Sequence, residues 1–499
     1  MRPRVDVTER IFEFAGSTPD AWAVVHDLMP VSYRTLHRRI SAMRGKLGGY
    51  GLKSDGVVVI WIYSTLVSWI VTLALRGLGL TTVSIRTPAE LASFGSLKVA
   101  AIITDAGEHY PPIAASFAPD AARIAVQRAD WDVADDGAAL EAPPAGPRGD
   151  HILLTSGTTG NYKMMIVNSD LHTAQVEAGL KRYQEQQADP KAPLKGVANI
   201  LGLGLWTTIG FNYPLGVWTV GQTVVLHQGP DEYRSFAVPG ISSAMVTPAS
   251  LAQMLAGMPA DFPRNDKIRL AVTGGPLSAP LAAQVRARLT NTIIISLGST
   301  ESGGWATTVV GDDEDLRWHK LLPHRTVEVV DENDQPLGPH QLGEVRVLLD
   351  NNFTGYVNDP DASASFVKGD YFYPGDLGVL DGAGRIALHG RVTDVLNVMG
   401  NKHASGPYEQ ALQQALGLDG VCLLSEQGAD QEEQLHVVLE TAQPIDAETL
   451  RKAAVEHLRG FPAARFHFLD RFPRNHMGKI ERLKLKQRLI EQQRAQERA

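Results

Sequence analysis

The stretch Val57–Leu75, VVVIWIYSTLVSWIVTLAL, carries no charge over nineteen residues, and its reading decides the fold. Nineteen uncharged, mostly apolar residues are long enough to cross a bilayer as a helix. The order of residue types argues otherwise. The first half is β-branched and aromatic and stops at Tyr63-Ser64-Thr65, whereas the second half suits a buried helix ending at Arg76-Gly77. A strand feeding a helix inside an α/β core explains both halves, because central parallel strands read as continuous apolar runs. No membrane span is expected.

Outward from this stretch the same alternation continues. The runs VVVIWI, VAAIIT, DHILLT, TVVLH, SAMVT, IRLAVT and TIIISLG are separated by helix-like segments through the first three hundred residues or so. That rhythm predicts βαβ units and doubly wound parallel sheets. Asp135–Asp150, DDGAALEAPPAGPRGD, reads as a Pro/Gly/Ala linker. From about Val327 short strands and tight turns take over, predicting a smaller, mostly antiparallel unit over about 320–390. Beyond Arg391 a compact α+β segment is expected, with VCLLSEQ and LHVVLE as strands, Ala447–Arg459 as a helix and KLKQRLIEQQRAQERA as a solvated terminal helix.

The chain has 499 residues, 44% of them apolar and 20% charged, and 47 Lys and Arg against 55 Asp and Glu give a net charge of −8. Such mild acidity argues against a nucleic-acid partner, whose recognition needs a basic surface. One cysteine, Cys422, cannot form an internal disulfide, and MRPRVDVTERIFEFAG has no apolar signal-peptide run. A cytoplasmic location is expected. No internal repeat is present, and the histidines show no metal-binding spacing.

Chemistry is suggested by Leu153–Met165, LLTSGTTGNYKMM, which sets glycines, hydroxyls and a lysine directly after an apolar run. Small residues let a backbone wrap an anion while N–H groups, hydroxyls and a lysine donate to it. The spacing is not that of a P-loop, because Gly160 stands three residues before Lys163 and Met164 follows where a magnesium-binding hydroxyl would stand. A flexible surface turn has the same composition. Four more stretches share this look: TGGPLS, with Gly274 and Gly275; LGSTESGG, with Ser299, Thr300 and Glu301; the run from Tyr373 holding Asp376 and Arg391; and FPRNHMGKIER, with Lys479. Strand ends of open α/β sheets bind ligands, since loop amides and helix N-termini converge there. Taken singly, Asp376 is also a turn residue, Arg391 a surface ion pair and Lys479 a solvated lysine.

Together and in this order, they closely resemble the adenylate-forming superfamily: the acyl-CoA synthetases, aryl-CoA ligases, luciferases and peptide-synthetase adenylation domains. TSGTTGNYK is similar to that family's phosphate loop, STE to its magnesium and nucleotide motif, GDLG to its ribose motif, GRVTDVLNVMG to its hinge and NHMGK to its catalytic-lysine motif. TPDAWAVV, SYRTL and GYVNDPDASASF extend the resemblance over nearly the whole chain. It implies a large N-terminal domain, 1–393, and a small mobile domain, 394–499, turning about Asp394. It also implies ATP, Mg2+ and coenzyme A. A carboxylate would attack the α-phosphate, and a thiol would then displace AMP. Ser156, Gly157, Thr158, Thr159, Gly160 and Lys163 would hold the β/γ phosphates. Glu301 would hold the metal, Thr300 the α-phosphate, and Asp376 and Arg391 the ribose. Lys479 would lie between carboxylate and α-phosphate, and Gly400 beside a pantetheine arm.

The chain departs from the family pattern at Tyr162, where proline is usual, at Leu297, where an aromatic is usual, and at Ser405 and Pro407 after the hinge. By resemblance LGLGLWTTIGFNYPLGVWTVGQTVVL lines the acyl pocket, with Trp206 near a gate position, although a packed core tryptophan reads alike. Amino-acid-activating members follow that aromatic with an aspartate for the α-ammonium. Thr207 and Thr208 stand there, so a non-amino acid, aromatic or hydrophobic aliphatic, is expected, with Gly303 and Gly304 leaving room. No carrier domain is expected after Lys479. The expected acceptor is coenzyme A, with a separate carrier protein as the alternative. A kinase or a non-catalytic nucleotide-binding protein fits less well.

Overall fold

The computed structural model describes residues 6–95, 97–105, 113–114, 116–133, 138–156, 162–168, 197–200, 203–227, 229, 231–349, 353, 355–398, 401–427, 433–459, 461–474 and 479–497. They form two compact units, Met1–Met245 with Asp350–Ser365, and Val246–Leu349 with Phe366–Ala499.

In the first unit, Val57–Trp61 is a fully buried strand with parallel neighbours at Thr81–Ser84 and Val99–Asp105. Thr65–Gly77 follows as a helix, begun by the Ser64 side chain accepting from Val67 N–H. Every residue from Thr65 to Arg76 is buried, which explains the absence of charge: a helix apolar on all sides belongs in a core. Trp69 stacks on Phe211 at 5.5 Å and meets Trp218 edge-on at 5.0 Å. The lone cation, Arg76, is only 3% exposed and is compensated by Asp6 at 3.3 Å and by Gly149 O at 3.0 Å. No described helix is long and apolar enough to cross a membrane.

The sheet around Val57–Trp61 runs Ala122–Val126, Val99–Asp105, Val57–Trp61, Thr81–Ser84, His151–Ser156, Tyr162–Val167. A second parallel set in this unit joins Ile241–Val246, Val197–Ile200, Thr223–Leu226 and Trp22–His26. The linker-like residues 138–150 have no regular structure but are tied down. Arg38 donates to Ala138 O at 2.6 Å, His37 meets Glu141 O at 3.0 Å, and Arg148 pairs with Glu9 at 2.8 Å.

The second unit contains parallel strands Arg269–Thr273 and Thr292–Ser299, then antiparallel Gly303–Val309, Trp318–Leu321, Arg385–Arg391 and Asp376–Leu380. The β-rich region expected at about 320–390 is present and packs Val327, Val329, Val345, Val347 and Ile386 against Trp305. Beyond Asp394, the hairpin Val395–Val398 with Asn401–Ala404 precedes the helix Ser405–Leu416. Strands Val421–Gln427, Glu433–Glu440 and Ala464–Leu469 form one sheet, and helices Ala447–His457 and Arg482–Glu497 complete the expected α+β segment. The fold is α/β with a β-rich part and a small α+β C-terminal part.

Candidate active site

In the first unit, His151–Ser156 and Tyr162–Val167 are antiparallel, with Thr155 opposite Lys163 and Ser156 opposite Tyr162. Gly157, Thr158, Thr159 and Gly160 lie outside the described residues, and of Ser156 only the backbone is described. Lys163 is held at its tip. Its Nζ donates to the Tyr356 hydroxyl at 3.2 Å and lies 4.5 Å from that ring's centroid, while Val357 N–H reaches Met164 O at 2.8 Å. GYVNDPDASASF thus packs on the strand that carries the lysine.

Trp206 lies against the backbone of Gly204, so closely that any side chain at 204 would collide with the indole. Thr207 is buried and serves a structural need. Its hydroxyl donates to Gly204 O at 3.0 Å and accepts from Gly210 N–H at 2.9 Å, capping the helix Thr208–Thr219.

In the second unit, three of the motifs sit on turns that the sequence dictates. Gly274, with φ +82°, ends the strand Arg269–Thr273, a conformation costly for any residue with a Cβ. Ser278 then caps the next helix. Thr300-Glu301-Ser302 joins two antiparallel strands in which Ser299 faces Gly303. The joint is closed by the Ser299 hydroxyl, which accepts from Ser302 N–H at 3.0 Å, and by Arg325 donating to Ser302 O. Glu301 is thereby buried at 6% exposure. A Cβ on Gly303 or Gly304 would meet nothing closer than Leu297 O at 4.0 Å, so there is open space beside both. Leu297 packs against the Trp305 cluster.

Asp376 and Arg391 face each other across the hairpin Asp376–Leu380 with Arg385–Arg391, joined by a 3.0 Å ion pair. Arg391 also donates to Pro374 O at 2.5 Å. Burial pushes the Asp376 carboxyl up from the usual range, while Arg391 and then Lys479 pull it back. Lys479 shares this field. Desolvation pushes its amine below the usual lysine value, Arg391 adds to the shift, and Asp376 and Glu301 oppose it. Lys479 is exposed as a whole residue, so water reaches part of it and softens the desolvation around its charge. Lys479 is therefore brought within electrostatic reach of three other expected residues, Arg391, Asp376 and Glu301.

Asp394 pairs with Arg482 at 2.9 Å. Arg482 also gives two bonds to Glu409, at 2.7 and 2.8 Å, and reaches Leu423 O at 3.0 Å, Cys422 Sγ at 3.1 Å and Ser405 Oγ at 3.2 Å. Burial opposes the guanidinium charge, yet Glu409, Cys422 and Asp394 together drive its pKa up. Burial also pushes the Cys422 thiol up to about 12, leaving it inert. Ser405 and Pro407 lie in the first turn of the helix Ser405–Leu416, where proline costs no hydrogen bond. Gly400 lies outside the described residues. Sequence reasoning missed Tyr356, Glu409 and Arg482. Only Arg482, three residues after Lys479, carried any local signal.

Residues 11–357 match the family of AMP-binding enzymes. The chain belongs to that family. This AMP-binding enzyme is an adenylate-forming acid ligase, and its relatives differ in substrate. An indoleacetate–CoA ligase of Aromatoleum aromaticum is 24% identical over 353 residues, covering 68% of this chain and 67% of its own. The fatty acid–acyl-carrier-protein ligase ScoC of Streptomyces coeruleorubidus is 29% identical over 360 residues, covering 67% of this chain and 66% of its own. These matches span about two thirds of either relative. The o-succinylbenzoate CoA synthetase of Bacillus subtilis, solved with its acyl-adenylate intermediate, superposes with a TM-score of 0.79 at 19% identity over 96% of this chain and 98% of that one, a likeness of fold.

Proposed function

We propose that this enzyme activates a carboxylic acid without an α-amine, aromatic or hydrophobic aliphatic, and passes the acyl group to coenzyme A in the cytoplasm. The observation that carries the reading is the gathering of Arg391, Asp376 and Glu301 within electrostatic reach of Lys479. A carboxylate oxygen attacks the α-phosphorus of ATP, the bond to the bridging oxygen breaks, and pyrophosphate leaves. Two anions meet in that step, so positioning and charge neutralisation supply most of the catalysis. Lys479 provides a point charge between them. Asp376 accepts from ribose hydroxyls and Arg391 holds Asp376 in place. Lys163, with the hydroxyls of Ser156, Thr158 and Thr159, takes the leaving phosphates. Gly274, Gly275 and Ser299 belong to the nucleotide turns.

A buried carboxylate needs a cation or donors nearby. Glu301 would hold Mg2+, which usually takes one or two carboxylates and completes its shell with phosphate oxygens and water. Among the described residues no cluster of three or more His, Cys, Asp or Glu could hold a metal by itself. When bound, Mg2+ neutralises phosphate charge. In the second step a thiolate attacks the acyl carbonyl, AMP leaves, and residues 394–499 turn about Asp394 to admit the thiol past Gly400.

By the family resemblance the acyl pocket is read from Trp206 and Thr207. Thr207 spends its hydroxyl on a helix cap and offers no anion to an α-ammonium. The likeness to a carrier-protein ligase favours a second acceptor, a carrier's pantetheine arm. The test is acid-dependent ATP–pyrophosphate exchange across benzoate, phenylacetate, indole-3-acetate, octanoate and the proteinogenic amino acids, followed by mass spectrometry with coenzyme A or a pantetheinylated carrier. ADP as product, or no exchange with any acid, would sink the assignment.

A further inference from the structure

The family pattern has proline immediately before the phosphate-loop lysine, and here Tyr162 stands in that place. A tyrosine has two groups that proline lacks, and both are used. Tyr162 N–H donates to Ser93 Oγ at 3.0 Å, and the Tyr162 hydroxyl accepts from Arg86 Nη2 at 3.0 Å. Arg86 is itself fixed. Its Nε and Nη2 reach Glu90 Oε1 at 2.8 and 2.5 Å, its backbone N–H reaches Glu90 Oε2 at 2.9 Å, and its carbonyl accepts from Trp61 Nε1 at 3.3 Å. The Glu90 side chain is 2% exposed, so the carboxylate is sheltered from water. The Arg86 guanidinium carbon lies 5.8 Å from the ring centroid of Trp206, within cation–π range.

Lys163 follows Tyr162 at the start of an edge strand, and the opposite end of its side chain is held by Tyr356. A proline at 162 would set the backbone by its ring. Tyrosine leaves the backbone free to turn, and the bonds to Ser93 and Arg86 replace the ring's constraint. Because Glu90 neutralises Arg86, the guanidinium adds geometry here rather than a net charge for an acidic substrate. We infer that Arg86 and Tyr162 are positioning residues that hold Lys163 in register for nucleotide phosphates and fasten it to Trp206, so that a residue read as acyl-pocket wall also sets nucleotide affinity. The inference rests on the reading of Lys163 as a phosphate ligand.

The test is calorimetric binding of magnesium with α,β-methylene-ATP to the full chain, with no acid present. Losing one hydrogen bond predicts about 3- to 10-fold weaker binding for Tyr162→Phe, and Arg86→Gln should weaken binding at least as much. The double variant should be no worse than Arg86→Gln alone, since both act through one link. Trp206→Leu should weaken binding about 2- to 5-fold in the parent and not at all in the Arg86→Gln background. In a Tyr162→Pro background, which removes both the N–H and the hydroxyl, Arg86→Gln should have no further effect, because the link through which it acts is already gone. Unchanged affinity in Tyr162→Phe, multiplying losses in the double variant, or an equal Arg86→Gln loss in the Tyr162→Pro background would overturn the inference, the last by showing that Arg86 acts through the fold. A parent chain that does not bind the analogue refutes the phosphate reading and the inference with it. A parent that binds while the variants are unaffected refutes the inference alone.

Discussion

Replacing Arg482 with methionine keeps the side-chain stem and removes only the guanidinium, so the loss measures the ionic clamp at the start of the terminal helix. In the folded chain that guanidinium contacts Glu409 at 2.7 and 2.8 Å, Asp394 at 2.9 Å and Leu423 O at 3.0 Å. The variant strands two carboxylates whose side chains are 12% and 23% exposed. Breaking a fully buried pair from one side costs about 3–5 kcal/mol. Water reaching these side chains reduces that to about 2–4 kcal/mol.

Glu409 also accepts from Leu423 N–H at 2.7 Å, so the damage should spread into the strand Val421–Gln427. At about 1.4 kcal/mol per tenfold, amide protection there should fall by about 30- to 700-fold. Hydrogen exchange of the full chain, read by mass spectrometry, compares peptides from Ser405–Leu416 and Val421–Gln427 with peptides from Val57–Trp61. Arg482→Lys should recover only part of the loss, because an ammonium cannot supply a planar fork to Glu409. A loss below about fivefold, corresponding to about 1 kcal/mol, would refute the reasoning. So would an equal loss at Val57–Trp61.

Lys479→Ala should lower adenylation about 10²–10³-fold while sparing thioester formation from a supplied acyl adenylate, and Asp394→Pro should do the reverse; equal losses in both half-reactions would remove the case for a turning C-terminal segment. Simple α-amino acids should support little pyrophosphate exchange beside hydrophobic or aromatic acids, and a proteinogenic amino acid as best substrate would overturn the pocket reading. His319, buried at 6% exposure with no bond recorded at Nδ1, has its pKa pushed down from 6.5 to about 4 by desolvation. The unfolded chain then binds more protons in that window, so stability present above pH 6.5 is lost as the pH falls toward about 4, by about 3 kcal/mol in total. Urea unfolding of His319→Gln at several pH values should show a shallower acid limb, and an unchanged slope would discard this account.

The strands were legible because burial on both faces leaves a continuous apolar run, and Val57–Trp61 needed nothing beyond its neighbours in sequence to be recognised. Asp376 and Arg391 were legible for a different reason: the glycines at 382 and 384, both with positive φ, fold a hairpin that brings the two residues opposite each other. Arg482 was not legible in the same way, since its partner Glu409 lies 73 residues earlier and only the tertiary fold joins them. The linker reading of Asp135–Asp150 missed its anchoring because polar, proline-rich chain looks alike whether free or pinned. What pins it is the need of Arg38, Arg76 and His37 for acceptors, which an irregular backbone has to spare. The departures from the family pattern follow the same logic. Pro407 costs nothing in a first helical turn, Leu297 serves the Trp305 cluster, and Tyr162 replaces a ring constraint with two hydrogen bonds. At Tyr162 the departure removes one local device and draws compensating contacts from residues distant in sequence, Ser93 and Arg86. A motif scan therefore registers the missing device, while its replacement is visible only in the fold.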